Sequence, residues 1–359
     1  MKRTLSVLLA LCLVLSAVSL LAGCNKAGGS GYPVTVGDVT IDKEPANIVV
    51  LNDDFADIVS YIGYDIKMVG RSAECDQDFL YVVPVMGSAA SPDVNGITAA
   101  KADLVIADNT LSSNSRSALE SAGVKVLTLE AAKNEEELRN LYISLGTALG
   151  GSEKGAVKGQ EGYDSLFTML DKLNTASSSV VQTAAYLYLD GSGQLCTFVK
   201  GSLEHSIFNF NGCTNVLLNQ TQPAVNPDEL QKGSPNYIFY DSPAVLDYLK
   251  ASPQLSKLSG LVSGHTLQIP LKQFMRHGSS AEQTVFEMLN YIEKITKATP
   301  DQATVAPTKA AATPTKAPAT AAPETEAEAT EAELTEAEVS NDAGDVSADA
   351  NANAQNAYQ

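Results

Sequence analysis

The sequence predicts an α/β fold of two lobes with mostly parallel sheets, bridged by one long helix, with a ligand cleft between the lobes. Two similar passages, residues 91–110 and residues 223–243, carry this prediction. Each runs from a Pro/Asp/Asn-rich turn through a short helical pattern into an apolar run that ends on Asp108 or Asp241. A helix feeding a buried strand, repeated at the distance of a small domain, indicates two lobes. Strand and helix patterns alternate around both passages, which is typical of mostly parallel sheets.

The first lobe is predicted over residues 32–150. It begins with a hairpin, because short β-branched runs flank the two-residue turn Gly37-Asp38. A continuous apolar run at 47–51 indicates a buried strand, and Asn134 with Glu137 marks the start of the lobe's last helix. The other predicted elements are helices over 53–62 and 114–122 and strands over 66–69 and 124–129.

A connecting helix is predicted over 151–175, although Gly155, Gly159 and Gly162 weaken its first half. The second lobe is predicted over 176–297. Its strands are expected at 183–189, 237–240 and 266–269, and its last helix begins at Ser279. A single helical connection implies a stiff joint with little opening and closing.

The two ends of the chain are not expected to belong to the fold. Residues 1–23 read as a secretory signal, with a charged start and a long apolar stretch. The stretch closes on Leu-Ala-Gly-Cys, which resembles a bacterial lipobox and implies a lipid on Cys24, followed by a tether over 24–31. Residues 298–359 are rich in Ala, Thr, Pro and Glu and carry half of the net charge of −18. Such a tail cannot bury enough apolar surface to fold, so a disordered acidic tail is expected.

Cysteine and histidine usage limits the chemistry of the chain. Cys196 and Cys213 could pair with each other, but their spacing does not require it. The three histidines lie far apart in the sequence and near no cysteine pair, so a zinc-type metal site is not expected. We expect no cofactor, with metal present only as part of a chelate ligand. The acidic balance argues against nucleic acid as a partner.

Candidate ligand residues in the first lobe follow its strands, because ligands of such folds bind beyond the carboxyl ends of the strands. Arg71 could grip an anionic group or form a surface salt bridge. Tyr81 and Phe79 could line the cleft or fill the core. The other candidates of this lobe are Asn52 and Asn109, whereas Asp53 or Asp54 could equally cap the helix that follows.

In the second lobe, the loop before the last helix contains Phe274, Met275, Arg276 and His277. If exposed together, these side chains form a surface that is apolar for a macrocycle and cationic for acidic groups. The alternative is that Phe274 and Met275 fill the core. His277 could also serve as an axial haem ligand or as a hydrogen-bonding residue. Weaker candidates are Tyr188 and Asp241.

An ordered series of short segments resembles the vitamin B12 and ferric-siderophore binding proteins of ABC importers. In the first lobe the series comprises PVTVGD (33–38), PANIVVL (45–51), VGRS (69–72), VMG (85–87), PD (92–93) and ADLVI (102–106). In the second lobe it comprises GSL (201–203), NGCTNV (211–216), PNYI (235–238) and LVSGH (261–265). The resemblance covers residues 32–297 and rests on the order of the segments.

The resemblance implies a ligand held between the lobes and docking onto a membrane permease through one acidic residue on each lobe. The second-lobe position falls on Asp228, with Glu229 beside it. The first-lobe position falls on Asn95, which offers no charge, unless Asp93 substitutes. The implied partners are a metal-chelate small molecule, a permease with its ATPase, and the membrane through Cys24, and a monomer is expected.

The resulting hypothesis is an extracytoplasmic, lipid-anchored protein that captures an iron-siderophore, haem or cobalamin-type chelate for an ABC importer. A capture or sensing lipoprotein without a transporter is the alternative, favoured by Asn95 and the acidic tail. An envelope enzyme is not expected, because no nucleophile elbow or Gly-rich phosphate loop is present. The two cations Arg71 and Arg276 favour an anionic ferric siderophore as the ligand. The variant Arg276→Ala is expected to weaken ligand binding without unfolding the protein.

Overall fold

The first lobe is built on a parallel four-stranded sheet. The computed structural model describes residues 31–175 and 182–298, and the predicted signal, Cys24, most of the tether and nearly all of the tail lie outside these ranges. A hairpin of β1 (Val34–Val36) and β2 (Val39–Ile41) precedes the sheet, as predicted. The sheet has the order β4-β3-β5-β6, with all pairs parallel. Its strands are β3 (Ile48–Val50), β4 (Met68–Arg71), β5 (Leu104–Ala107) and β6 (Lys125–Thr128).

Each helix of the first lobe begins at a polar residue whose side chain accepts a hydrogen bond from the backbone N–H three residues on. The helices are α1 (Asp53–Tyr61), α2 (Val94–Ala99), α3 (Ser113–Ser121) and α4 (Glu135–Gly150). Their caps are Asn52, Asp93, Ser112 and Asn134. Such caps satisfy one of the free N–H groups of the first turn. Asn134 is the predicted cap, and Glu137 in turn accepts from the Lys133 backbone N–H.

The second lobe repeats this plan with one antiparallel addition. Its strands β11, β10 and β7 are parallel neighbours, β9 pairs in parallel with the start of β7, and β8 pairs antiparallel with its end. The strands are β7 (Thr183–Leu189), β8 (Leu195–Cys196), β9 (Thr214–Asn215), β10 (Tyr237–Tyr240) and β11 (Thr266–Gln268). The helices are α6 (Leu203–Phe208), α7 (Pro227–Gly233), α8 (Pro243–Ala251), α9 (Ser259–Val262), α10 (Leu271–Phe274) and α11 (Ser279–Ala298), after α5 (Ala156–Thr175) in the connection.

The core has three parts, because successive residues of a strand face opposite sides of its sheet. Val49 and Val105 pack under α2 and α3 on one side of the first sheet, and Ile238 packs with residues of α7 and α8 on one side of the second. The opposite sides of both sheets belong to one continuous apolar cluster that also contains residues of α1, α4, α5 and α11. The lobes are therefore joined through a shared core that is broader than the single helix predicted. Within the described ranges, no helix is both long and apolar enough to span a bilayer.

The connection between the lobes depends on glycines that allow α4 and α5 to approach closely. The predicted helix over 151–175 is divided into a π-helical turn, Gly151–Gly155, and α5. A Cβ on Gly159 would collide with the carbonyl group of Tyr142, and one on Gly146 with the carbonyl oxygen of Gly155. The glycines that lower the helix propensity of this segment are thus required by its packing against α4.

The structure corrects the start of one predicted strand and decides whether the cysteines are paired. The strand predicted over 66–69 begins at Met68, because Asp65–Lys67 forms a 3-10 turn and Ile66 is 90% exposed. Lys67 draws this turn to Glu44 and to the carbonyl oxygen of Leu149. The thiols of Cys75, Cys196 and Cys213 are free.

Substituting Gly159 with alanine tests the close approach of α4 and α5. Alanine favours a helix by about 1 kcal/mol over glycine, but here its methyl group overlaps the backbone of α4. We expect Gly159→Ala to lower the free energy of unfolding by about 1–3 kcal/mol, measured by urea unfolding. Glu161→Ala on the exposed side of α5 is the control, with an expected change within about 0.5 kcal/mol. Equal stability of the Gly159 variant and the parent would contradict the packing.

Candidate functional site

The loops that follow the strands of both sheets meet between the lobes, in the space called the cleft below. The loop after β4 reaches the loop after β11, where Asp76 pairs with Lys272 and with Arg276. These two loops and the first turns of α11 line a cavity of 340 Å³. Its wall includes Gln77, Phe79 and Gln273. This contact lies beyond the carboxyl ends of the strands, where the ligand is expected from the sequence, and the position of the site stays a prediction.

Three carboxylates on α1 bind the loop before α11. Asp53 pairs with Arg276 at 2.7 Å. Asp54 accepts the backbone N–H of His277 at 2.8 Å. Asp57 accepts the backbone N–H of Gly278 at 2.7 Å, that of Ser280 at 3.2 Å, and the Ser280 hydroxyl at 3.0 Å. Asp57 therefore caps the first turn of a helix that belongs to the other lobe.

Neighbouring groups complete this contact, which we call the α1–α11 seam. Tyr61 donates its hydroxyl hydrogen to Glu282 at 2.6 Å, and Tyr142 of α4 donates to the carbonyl oxygen of His277. A Cβ on Gly278 would lie 2.6 Å from the carbonyl oxygen of Asp57, so only glycine permits this approach. The seam thus combines charge, hydrogen bonds and close backbone contact between the lobes.

Burial and charge at the seam shift the pKa values of its acid and its base. Desolvation, followed by the charge of Asp54, raises the pKa of Asp57 to about 6, against the lowering effect of its three donors. Burial by itself would lower the pKa of His277, but the nearby Asp54 carboxylate outweighs it, and the pKa is raised above 6.5. His277 Nδ1 lies 3.0 Å from Asp54, although the two atoms are not aligned as a hydrogen bond.

The loop before α11 is not the exposed surface that the sequence suggested. Phe274 is fully buried, while Arg276 and His277 are almost so. Phe274 fills the core of the second lobe, where its ring packs against Tyr186 and Phe198 at centroid distances of 4.7 and 4.9 Å. Of the four side chains named from the sequence in this loop, only Met275 is exposed. The expectation of joint exposure was wrong because the short helix α10 turns Phe274 inwards and α1 covers the two basic residues.

Arg71 has neither of the settings that the sequence suggested. Its guanidinium is buried and donates to the carbonyl oxygens of Leu80, Val83, Ser72 and Cys75. All four acceptors belong to the loop after β4. Arg71 is thus an internal support for this loop, and it is neither a surface ion pair nor an open strand-tip cation. Its predicted contact with ligand stays a prediction.

The supported loop exposes apolar side chains. Tyr81 is 63% exposed and Val82 is 90% exposed, and Phe79 is also open to solvent. The guanidinium carbon of Arg71 lies 6.0 Å from the centre of the Tyr81 ring. The ring therefore lies next to the arginine that holds this loop. The loop can therefore present a flat apolar surface to a ligand. The core alternative for Tyr81 and Phe79 was wrong.

The remaining predicted ligand residues hold loop ends at the strand tips. Asn52 donates to Asp108 at 2.6 Å, and Asn109 donates to Glu130 at 3.1 Å. Asp241 accepts the backbone N–H of Leu271 at 2.7 Å, at the first residue of α10. Tyr188 is half-buried, with its ring 6.4 Å from that of Phe198. Their contacts with a ligand stay predictions.

The predicted docking residues lie exposed on the short helices of the two repeated passages. Asn95 is on α2, and its neighbour Asp93 is engaged as the cap of that helix. On α7, Asp228 accepts from Gln254 at 2.6 Å and Glu229 from Gln220 at 2.9 Å. In the part of the chain that the structure describes, no cluster of His, Cys, Asp and Glu side chains could hold a metal ion.

Sequence reasoning missed Asp57, Asp76 and Gln77. The spacing of Asp53, Asp54 and Asp57 on a short helix suggests a solvated face, but Asp57 is fully buried. The signal that could have identified it is its setting between Ala56 and Ile58, both apolar, on a helix buried on most sides. The pairing of Asp76 with Arg276 links residues about 200 positions apart and leaves no local pattern.

Comparison with known proteins agrees with this architecture. A family model described as periplasmic binding protein matches residues 40–270. The chain is 28% identical over 230 residues to YvrC of Bacillus subtilis, described as an uncharacterized ABC transporter substrate-binding lipoprotein, with 58% of this chain and 72% of that protein covered.

Two solved structures share the fold at low sequence identity. One is a possible iron-binding, periplasmic solute-binding protein from Staphylococcus epidermidis, with 16% identity and a TM-score of 0.56 over 70% of this chain and 99% of that chain. The other is the periplasmic haem-binding protein HutB of Vibrio cholerae, with 13% identity and a TM-score of 0.55 over 68% and 98% of the two chains.

The burial of Arg276 changes what its removal should do. Arg276→Ala leaves Asp53 in a partly buried setting without its cation, so we expect a loss of about 2–4 kcal/mol in the free energy of unfolding. Lys272→Ala, at the exposed end of the same cluster, should cost less than about 1 kcal/mol. Urea unfolding of both variants provides the measurement. Equal effects would show that burial does not distinguish the two cations.

Stability should decrease with rising pH in two windows. Asp57 and His277 both hold their proton more tightly in the folded chain than in the unfolded chain, so the folded state binds more protons in these windows. The first loss falls between pH 3.8 and about 6, as Asp57 ionises. The second begins above 6.5 and continues through the raised pKa of His277.

Thermal unfolding midpoints across buffers of different pH provide the measurement. Relative to the parent, Asp57→Asn should remove the decrease in the first window and His277→Gln the decrease in the second. A variant that keeps the decrease of its own window would contradict the assignment.

Proposed function

Because this chain belongs to the periplasmic binding protein family, we propose that it captures a metal chelate between its lobes and delivers it to an ABC importer. The chelate is an iron-siderophore, haem or a cobalamin-type molecule. The family match over residues 40–270 covers most of both lobes and the helix between them. The names of its structural relatives, an iron-binding and a haem-binding protein, support a chelate as ligand.

One observation carries the proposal. The loops beyond the strand ends of both lobes meet around a cavity, and one of them exposes Phe79, Tyr81 and Val82 beside charged groups. Exposed apolar side chains next to convergent polar groups are typical of small-molecule sites. Metal chelates combine a flat or rounded apolar surface with a polar edge, which matches this combination.

The anchoring and the partners follow from the sequence and the relatives. We propose that Cys24 carries a lipid that holds the protein at the outer side of the cell membrane, as the lipoprotein description of YvrC supports. Asp228 and Glu229 are exposed on α7, where they could meet arginines of a permease. Binding without chemical turnover of the ligand is proposed.

Capture without a transporter is the second candidate function, and Asn95 is the observation that favours it. The exposed first-lobe position on α2 is uncharged, so docking there lacks the charge assistance available at Asp228. Genes for a permease and an ATPase next to the gene of this protein would favour the importer.

Calorimetric titration of the purified protein against cobalamin, haem and a siderophore panel tests the proposal. We expect one of these chelates to bind at micromolar or tighter affinity and to be recovered chemically unchanged. Tyr81→Ala should weaken that binding about tenfold, because an exposed aromatic anchor is lost. Tyr248→Ala, which removes an exposed tyrosine from α8, is the matched control and should bind like the parent. Absence of binding across the panel would contradict the proposed function.

A further inference from the structure

The first-lobe side of the cleft is crowded with carboxylates. They follow the ends of its strands, in the loops where a ligand of this fold would be held. The six residues are Asp53, Glu74, Asp76, Asp78, Asp108 and Glu130. The sequence suggested the opposite character, because Arg71 and Arg276 were expected to make the cleft attractive to an anionic chelate.

The nearby cations do not balance these carboxylates. The guanidinium of Arg71 is turned into its own loop, where four carbonyl oxygens accept from it. Arg276 is shared between Asp53 and Asp76, and Lys272 pairs with Asp76. Arg276 and Lys272 are thus both engaged in ion pairs with two of the six acids, Asp53 and Asp76. Within the described ranges, the other four carboxylates form no ion pair; they are Glu74, Asp78, Asp108 and Glu130.

Glu74 lies close enough to Asp108 and Asp53 to be repelled by their charges. Partial burial, followed by the negative charges of Asp108 and Asp53, raises the pKa of Glu74 above its ordinary range. Asp108 accepts from Asn52 and from Thr110, which are neutral donors. Neutral donors hold these groups in place but do not cancel their charge. The cleft therefore keeps a negative potential on this side.

A buried acceptor within the same cluster also lacks a partner. The carboxamide of Gln77 donates to Asp53 at 2.8 Å, and its Oε1 atom is buried without a hydrogen-bond donor. Exchanging the amide nitrogen and oxygen would set Oε1 against the Asp53 carboxylate, so the orientation is fixed. A buried acceptor without a donor costs about 1–3 kcal/mol. Gln77 lines the cavity between Asp76 and Asp78, so a donor that reached Oε1 from the cavity would supply the missing hydrogen bond.

We infer that the ligand is a chelate of net positive charge, with hydrogen-bond donors on the edge that faces Glu74, Gln77 and Asp78. The inference rests on the proposed function and narrows its ligand class. The apolar surface of Tyr81 and Val82 receives the body of the chelate, while the acids beside it receive the positive charge. An anionic chelate would face the same four uncompensated carboxylates and would be repelled.

The test is a titration of the full-length chain in a neutral detergent against chelates that differ in charge. Cobinamide and ferrioxamine B supply positive members of the corrin and siderophore classes. The N-acetylated, neutral form of ferrioxamine is the matched control for charge, while haem and a ferric tris-catecholate supply negative members. We expect a positive member to bind most tightly, and its affinity to fall about tenfold from low to high salt, because exposed charges are screened.

Two variants tie the charge preference to the named acids. Glu74→Gln and Asp78→Asn should each weaken binding of the positive chelate about twofold to fivefold, the range for partly exposed charge pairs. Asp65→Asn is the matched control, because Asp65 and Asp78 each begin a 3-10 turn, at opposite ends of β4. This control should bind like the parent.

The outcomes separate the inference from the proposed function. Tightest binding of haem or of the catecholate, or tighter binding of the positive chelate by the Glu74 and Asp78 variants, would overturn the inferred positive charge of the ligand while leaving chelate capture intact. Unchanged affinity in both variants would overturn the role of these acids. Failure of every chelate to bind would reject the proposed function, and the inference with it.

Discussion

The packing of the two lobes depends on the carboxylates of α1 accepting donors from the other lobe. Asp54 and Asp57 are acceptors only, and burial requires that each find donors. The backbone N–H groups at the start of α11 have no partners within their own helix. The backbone N–H groups therefore supply the donors that the carboxylates need, and the carboxylates supply the acceptors that these N–H groups lack. These hydrogen bonds hold Gly278 and Ser280 against α1. The continuous apolar cluster between the sheets extends this contact.

The same contact determines what remains available in the cleft. By binding Arg276 to Asp53 and Asp76, the two lobes remove this cation from ligand recognition. Arg71 is removed in the same way by the carbonyl oxygens of its own loop. What faces a ligand is then an apolar loop beside unpaired carboxylates. Recognition in this protein is therefore expected to rest on apolar contact and negative charge.

The sequence predicted those parts of the structure that local patterns encode. The hairpin around Gly37, the cap at Asn134, and the two helices that feed β5 and β10 are each fixed by neighbouring residues, whereas the cap of α1 is Asn52 and neither Asp53 nor Asp54, which the sequence had suggested. The burial of Arg71, Asp57 and Phe274 was not predictable, because each depends on groups that the fold brings from elsewhere. Loop carbonyls surround Arg71, and the aromatic rings around Phe274 come from β7 and the segment that follows β8. The residues next to a charged or aromatic side chain that follows a strand do not indicate whether that side chain faces solvent or the core.

The α1–α11 seam is tested most directly by amide hydrogen exchange at His277, Gly278 and Ser280. Their N–H groups donate to carboxylates of the other lobe and to no backbone carbonyl within a sheet. If the seam holds the lobes together, these three amides exchange as slowly as those of the central strands β3 and β7, since they open only when the fold opens. Exchange as fast as in the exposed loop around Tyr81 would contradict it.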